Sequence, residues 1–295
     1  GGNGMIAFRG SYHGTTAGAG SLTAGKKYKR DYAPLLADVV HAPYPQTDEA
    51  VEHALDEVQS ILADPYGGLA NPAGIWVEPI QGEGGVVVPP AEFLPALRDI
   101  ADENDVPLIV DEVQAGFGRT GEWWGSDHYD VTPDAITMAK SLGGAGLPIG
   151  AMLYDESLDT WDPGAHVGTF RGHVPAMAGG IRAIEYIRDH DLLDHADRLG
   201  EYIRSRLEET AQNVSEIADV RGKGLFIGVE FRDENGAPMK DTVKAIQTAA
   251  YERGVLVWTA GHYGSTLRLL PPLVMTQEQA EIGLGIVTES IEETV

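Results

Sequence analysis

The sequence predicts an α/β fold, with a mainly parallel central sheet, helices on both faces, and a small α+β unit at the C-terminal end. Three observations predict it. Short β-rich apolar runs alternate with helical patterns in the first part of the chain. Those runs are nearly continuous in apolar residues, which suggests strands buried on both faces, as in a parallel sheet. Past residue 212 the pattern changes to paired short strands with two further helices, the signature of a separate antiparallel layer.

Taken in order, the apolar runs place strands at residues 5–8, 39–42, 74–78, 108–112, 135–138 and 149–153. Helical periodicity falls at 48–62, at 91–104 and in one long stretch over 174–208. A hairpin follows, 216–220 with 225–231, around a turn that contains glycine. A helix at 242–253, strands at 255–258 and 266–269, and a helix at 276–293 complete the chain. The expected division is a large unit over 1–175, a connecting helix over 176–212 and a small unit over 213–295. The chain opens without methionine, directly on a strand, which reads as a fragment lacking an N-terminal portion.

Composition narrows the function classes. Apolar residues make up 43% of 295, enough for a globular core. No apolar run approaches the roughly 20 residues needed to span a bilayer, and no charged-then-apolar leader opens the chain. The expectation is a cytoplasmic protein with no membrane contact. The absence of cysteine excludes disulfides, thiol catalysis and cysteine-ligated metals. A net charge of −24 argues against nucleic-acid binding, because phosphate contacts need a basic face. The acid excess is spread along the chain instead of forming one tail, so it reads as a solvated coat of the kind suited to high salt.

In an open parallel sheet, ligands sit at the carboxyl ends of the strands. Three segments place polar residues there: WVEPIQGEGG, PLIVDEVQAGFGRTG and ITMAKSLGG. Asp111 directly follows an apolar run. A carboxylate in that position can hold a cationic heterocycle, although alone it serves equally well as a helix cap or metal ligand. Lys140 ends the strand ITMAK. Desolvation there would lower its pKa and make the amine a nucleophile toward an aldehyde. Alone, it reads as a lysine reaching for water. Beside Asp111 and the glycine-rich run SLGGAGLPIG, the two residues suggest the lysine and the ring-nitrogen partner of pyridoxal 5'-phosphate (PLP).

From residue 4 to its end the chain resembles the class III, or ω-type, aminotransferases of PLP fold type I. The matching stretches are SYHG, VEPIQGEGG, DEVQAGFGRTG, AKSLGG with GLPIGA, GTFRG and LRLLPPLVMT, all in the family's order. Within the family, FRGSYHG, PGAHVGTFRG and GHYGSTLRLLPPL look most like the 2,4-diaminobutyrate branch, whose amino acceptor is 2-oxoglutarate.

The resemblance implies a role for each matching residue. Lys140 forms the Schiff base with PLP and carries the proton between substrate and cofactor. Asp111 pairs with the ring nitrogen, and Gln114 bonds the phenolic oxygen. Val113 packs on one ring face and Tyr12 stacks on the other, beside His13. Glu78 orients the site. Thr169 reaches the cofactor phosphate of a neighbouring subunit, which implies a homodimer with shared sites. Glu83 and Arg268 form a gate: Glu83 neutralises Arg268 when a diamine binds, and swings away when 2-oxoglutarate brings an α-carboxylate. The family's small-residue phosphate loop falls upstream of Gly1. Transamination of 4-aminobutyrate or another ω-amino acid, and other PLP reactions on this scaffold, namely decarboxylation, aminomutation and epimerisation, stay open, as does a chain that no longer holds PLP.

Overall fold

The computed structural model describes every residue except 1, 3, 33, 34, 36, 37 and 145, so Ala145 of the glycine-rich run lies outside the described residues. The first sheet contains β1 (Gly4–Phe8), β2 (Val39–Ala42), β3 (Pro72–Val77), β4 (Leu108–Asp111), β5 (Ala135–Met138) and β6 (Ala151–Tyr154), in the order β2-β1-β3-β4-β5-β6. Strands β1 to β5 are parallel and β6 runs antiparallel to β5.

Helix α1 (Ala17–Leu22) joins β1 to β2, α2 (Val51–Ala63) joins β2 to β3, and α3 (Phe93–Glu103) joins β3 to β4. Crossovers between parallel strands are right-handed. The leftward step through α1 and the rightward steps through α2 and α3 therefore put helices on opposite faces. Helices α2 and α3 share one core with the sheet, where Ile6, Phe8, Ile75, Leu108 and Val110 meet Val58, Phe93, Leu94 and Leu97. Phe8, Tyr44 and Phe93 pack edge-to-face within it.

The second sheet, ordered β7-β8-β10-β9, is antiparallel. It is built from β7 (Ile217–Lys223), β8 (Phe226–Phe231), β9 (Trp258–Ala260) and β10 (Thr266–Leu269). Helices α5 (Leu192–Ala211), α6 (Lys240–Glu252) and α7 (Gln277–Glu292) bury Leu199, Ile203, Leu207, Val243, Ile246 and Leu284 in a second core with this sheet. A capping box fixes the start of α7: Gln279 N–H donates to Thr276 Oγ1, and the Gln279 side chain accepts from the Thr276 amide.

Four expectations are corrected. The single helix over 176–212 is two, α4 (Val174–Asp189) and α5. The break falls at His190 and Asp191, where Asp191 adopts φ 51°, outside helical geometry. The last strand of the first sheet begins at Ala151, and Ala151, Met152 and Leu153 are exposed rather than buried on both faces: β6 is the edge of the sheet among the described residues and contributes to none of its cores. The strand expected at 255–258 starts at Trp258, where pairing with Arg268 begins. Lys140 does not end a buried strand. It lies two residues past β5, in a 3-10 turn (Lys140–Gly143), and is exposed. Helix α1 was not anticipated, since its sequence AGAGSL carries two helix-weakening glycines.

No helix among the described residues is long and apolar enough to cross a membrane.

Candidate active site

The carboxyl ends of β1, β3, β4 and β5 bring most of the candidate residues together. Val77 pairs with Val110 across β3 and β4, so Glu78 and Asp111 stand level at neighbouring strand ends. Asp111 pairs with Thr137 on β5, three residues before Lys140. Tyr12 and His13 follow β1.

Each oxygen of the Asp111 carboxylate has one hydrogen-bond partner, which leaves acceptor capacity on both. One oxygen, Oδ2, is 2.7 Å from His13 Nδ1, and the other accepts from the Val113 amide at 3.0 Å. Both side chains are buried. The far nitrogen of His13, Nε2, is buried without a hydrogen-bond partner among the described residues. His13 is itself fixed from behind: its backbone N–H donates to Thr23 Oγ1 at 2.8 Å, and that hydroxyl donates to Gly14 O at 2.9 Å.

Glu78 ties two loops together. Its Oε2 accepts from the Tyr12 amide at 3.1 Å and its Oε1 from the Gly82 amide at 3.2 Å. Burial pushes its pKa up to about 7; Asp111 adds to the rise, and His13 with the two amides opposes it. The Tyr12 ring, half-buried, packs edge-on against Tyr28 with centroids 4.8 Å apart, and burial raises its phenol pKa.

Arg268, buried on β10, reaches across from the second sheet. Its Nη1 lies 2.8 Å from Glu83 Oε1 and donates to Gln114 Oε1 at 3.1 Å. Its Nε is buried without a partner among the described residues. The Gln114 amide is confined by Gly82, where a Cβ would come within 2.7 Å of its three terminal heavy atoms.

Lys140 is exposed as a residue, yet protein crowds its amine. Desolvation lowers its pKa most, the Arg268 charge adds to this, and the carboxylates of Glu83, Asp111 and Glu78 pull the other way. Its φ of 43° is a left-handed conformation that costs a non-glycine residue energy and that recurs at functional sites.

Thr169 is not brought to this cluster. It sits in a run, 159–175, in which every residue is exposed. Sequence reasoning missed Glu112, next to Asp111. It is buried, accepts from the Gly125 and Ser126 amides at 2.8 and 2.9 Å, and is pushed up to about 7 by burial. Its amide contacts define it as the brace of the following turn. No group of three or more His, Asp or Glu able to hold a metal occurs among the described residues.

These residues fit PLP. The donor set includes an amine with a lowered pKa, a buried carboxylate at the neighbouring strand end, and a carboxamide, Gln114, held in one position. The sheet order and this donor set suit a protein that binds PLP.

The comparisons identify the class. The aminotransferase class-III profile matches residues 2–291, and the chain belongs to that family, whose members are PLP-dependent. A diaminobutyrate–2-oxoglutarate aminotransferase of Rhizobium meliloti (strain 1021) is 37% identical over 98% of this chain and 65% of its own length. An acetylornithine aminotransferase of Caldanaerobacter subterraneus subsp. tengcongensis is 36% identical over 98% of this chain and 67% of its own. The crystal structure of an amine transaminase from an uncultivated Pseudomonas species, in its PLP-bound form, superposes with a TM-score of 0.89 at 26% identity. That match covers 99% of this chain and 70% of the transaminase. The chain thus spans about two thirds of the length of the relatives it matches.

Proposed function

We propose that this chain carries the PLP site of an ω-aminotransferase. The enzyme would move an amino group from an ω-amine or diamine, L-2,4-diaminobutyrate first among them, to 2-oxoglutarate in two half-reactions through one pocket. The observation that carries this reading is the ion pair of Glu83 with the buried Arg268. 2-Oxoglutarate brings an α-carboxylate that a planar guanidinium can grip with two parallel bonds, whereas the ω-amino end of a diamine brings none. A buried arginine left without an anion is costly, so Glu83 occupies it in the resting state.

Bound PLP would supply an electron sink for the electron pair left when the substrate's amine-bearing carbon loses its proton. The chain's own residues do the rest. Lys140 would hold the cofactor and would carry the proton from the substrate carbon to the cofactor's C4′ in one half-reaction and back in the other; its lowered pKa keeps more of the amine free for that work. Asp111, anchored by His13, keeps a negative charge at the ring nitrogen. Gln114 donates to the phenolic oxygen, while Val113 and Tyr12 hold the two ring faces. Glu78 ties the Tyr12 loop to the Glu83 turn.

Single-turnover kinetics of each half-reaction test the reading, with glutamate release as the readout that separates transamination from decarboxylation or aminomutation. Glu83→Ala is expected to retain the glutamate half-reaction and slow the diamine one. Arg268→Ala is expected to do the reverse, weakening 2-oxoglutarate by ~2–5 kcal/mol, the cost of truncating one partner of a buried charged pair. Equal slowing of both half-reactions by both variants would reduce the pair to a structural bridge.

The assembly proposed is a homodimer in which Thr169 serves the partner's site. Exposed apolar side chains support it: Met152, Leu153, Val167, Phe170, Met177 and Ile181 lie on β6, the 159–175 segment and α4, and Met152, Phe170 and Met177 line one cavity. Residues 1–175 would form the cofactor-binding unit and 213–295 the small unit. The acidic coat suits a salt-rich cytoplasm. Melting temperature is expected to rise by ~5 °C or more between dilute buffer and molar KCl, as the Debye length falls to ~3 Å. A flat response would exclude the high-salt reading.

A further inference from the structure

The turn that carries Glu83 is strained and is held from the second sheet. Residues Gln81 and Val87 close it with a pair of backbone hydrogen bonds, and Gly85 and Val86 both donate to Gly82 O. Val86 is fully buried with φ 54°, a conformation that is an outlier for a β-branched residue. Such a conformation persists only where its surroundings over-determine it.

The surroundings that do so form one rung of the second sheet. Arg268 on β10 pairs with Gly228 on β8, and Gly228 pairs with Arg221 on β7. Directly paired residues in antiparallel strands project from the same face. The sheet therefore presents two arginines to one turn with no side chain between them. A Cβ on Gly228 would stand 2.9 Å from the Val86 Cβ and 3.1 Å from Gly85 O, so the missing side chain is what lets the turn lie on the sheet. Arg268 takes the Glu83 carboxylate. Arg221 takes the backbone: Nη2 donates to Gly85 O at 2.7 Å, and Nε lies 3.1 Å from both Gly85 O and Val86 O. The remaining nitrogen, Nη1, is held by Asp219 at 2.8 Å and Glu230 at 2.7 Å, which aims the fork at the turn. Gly261, in the β9–β10 loop, adds a bond from its amide to Glu83 O at 3.1 Å.

From this geometry we infer that Arg221 is a positioning residue for the substrate gate. By fixing the carbonyls of Gly85 and Val86 it holds the strained turn in the form that delivers Glu83 to Arg268, and so sets which substrate the pocket accepts. This inference rests on the gate reading proposed above for Glu83 and Arg268.

The test compares Arg221→Met and Arg221→Lys, each alone and with Glu83→Ala, using PLP-loaded protein. Arg221→Met is expected to slow the diamine half-reaction ~10-fold or more while leaving the glutamate half-reaction within about twofold, the pattern of Glu83→Ala. Added to Glu83→Ala it should change neither rate further, because both act through one carboxylate. Arg221→Lys, which can reach one carbonyl but cannot fork, should recover part of the loss. Hydrogen exchange at the amides of residues 85–87 should accelerate ~10-fold in Arg221→Met with β10 unchanged. Equal loss in both half-reactions, a full effect in the Glu83→Ala background, or unchanged exchange at the turn overturns the inference. If the unaltered protein catalyses neither half-reaction, the transamination reading fails, while the exchange measurement still decides whether Arg221 holds the turn.

Discussion

Lys140→Met is expected to lose turnover by ~10³-fold or more with little loss of stability. The residue is exposed on a short turn beyond β5, so its side chain contributes nothing to either core. Exposed substitutions of this kind usually stay within about 0.5 kcal/mol. The backbone strain at φ 43° is common to both residues and cancels. Chemistry, in contrast, loses its proton carrier, a contribution of ~10²–10⁴ by itself, together with the covalent hold on the cofactor. Arginine should not rescue, since a guanidinium stays charged at any working pH. Glutamate release measures the loss. Borohydride reduction of the PLP-loaded protein and peptide mapping locate the attachment, and a pyridoxyl label on Lys223 or Lys240 would refute the assignment.

Asp111→Asn is expected to cripple catalysis more than folding. Asparagine has the same shape, and its carbonyl oxygen can still accept from His13 Nδ1 or from the Val113 amide, the two contacts Asp111 makes. What disappears is a full negative charge in a buried place. Without it, the positive ring nitrogen has no counter-charge and the ring withdraws electrons poorly. A loss of about 3 kcal/mol or more corresponds to ~10²-fold in rate, at ~1.4 kcal/mol per factor of ten. Thermal melting and steady-state rates on one preparation separate the two effects. A well-folded variant with near-native turnover would remove Asp111 from the chemistry.

The parts of the fold that were legible are those in which local pattern and tertiary role agree. The strands LIVD and AITM are apolar runs because helices or loops cover them; Asp111 is the last residue of the first, and Lys140 lies two residues past the second. The break between α4 and α5 was hidden, because RDHDLLD carries neither glycine nor proline and aspartate adopts the left-handed form more readily than most residues. Lys140 was legible as a lysine near a strand's carboxyl end; its place two residues past β5, exposed on a 3-10 turn, depends on local geometry that the sequence does not announce. Glu112 was passed over because its partners are backbone amides thirteen and fourteen residues away. Arg221 was passed over for the same reason at greater distance, since its partners are carbonyls 135 and 136 residues back along the chain. Motif reading finds side chains that meet a ligand. It does not find side chains whose work is to hold backbone.

The strand order β2-β1-β3 has a consequence for where any ligand can sit. Leaving β1, the chain turns toward β2 at the sheet's edge; leaving β3, it turns the opposite way, toward β4. Two adjacent parallel strands whose exits diverge form a topological switch point, and the divergence opens a crevice above their carboxyl ends that no crossover fills. Tyr12 and His13 leave β1 on one lip of that crevice, and Glu78 leaves β3 on the other. Hydrogen bonds from the Tyr12 amide to Glu78 and from Gln81 Nε2 to Arg9 O span it. The position of the pocket is thus a property of chain winding, set before any catalytic side chain is chosen, and the chemistry is grafted onto an opening that the topology had already made.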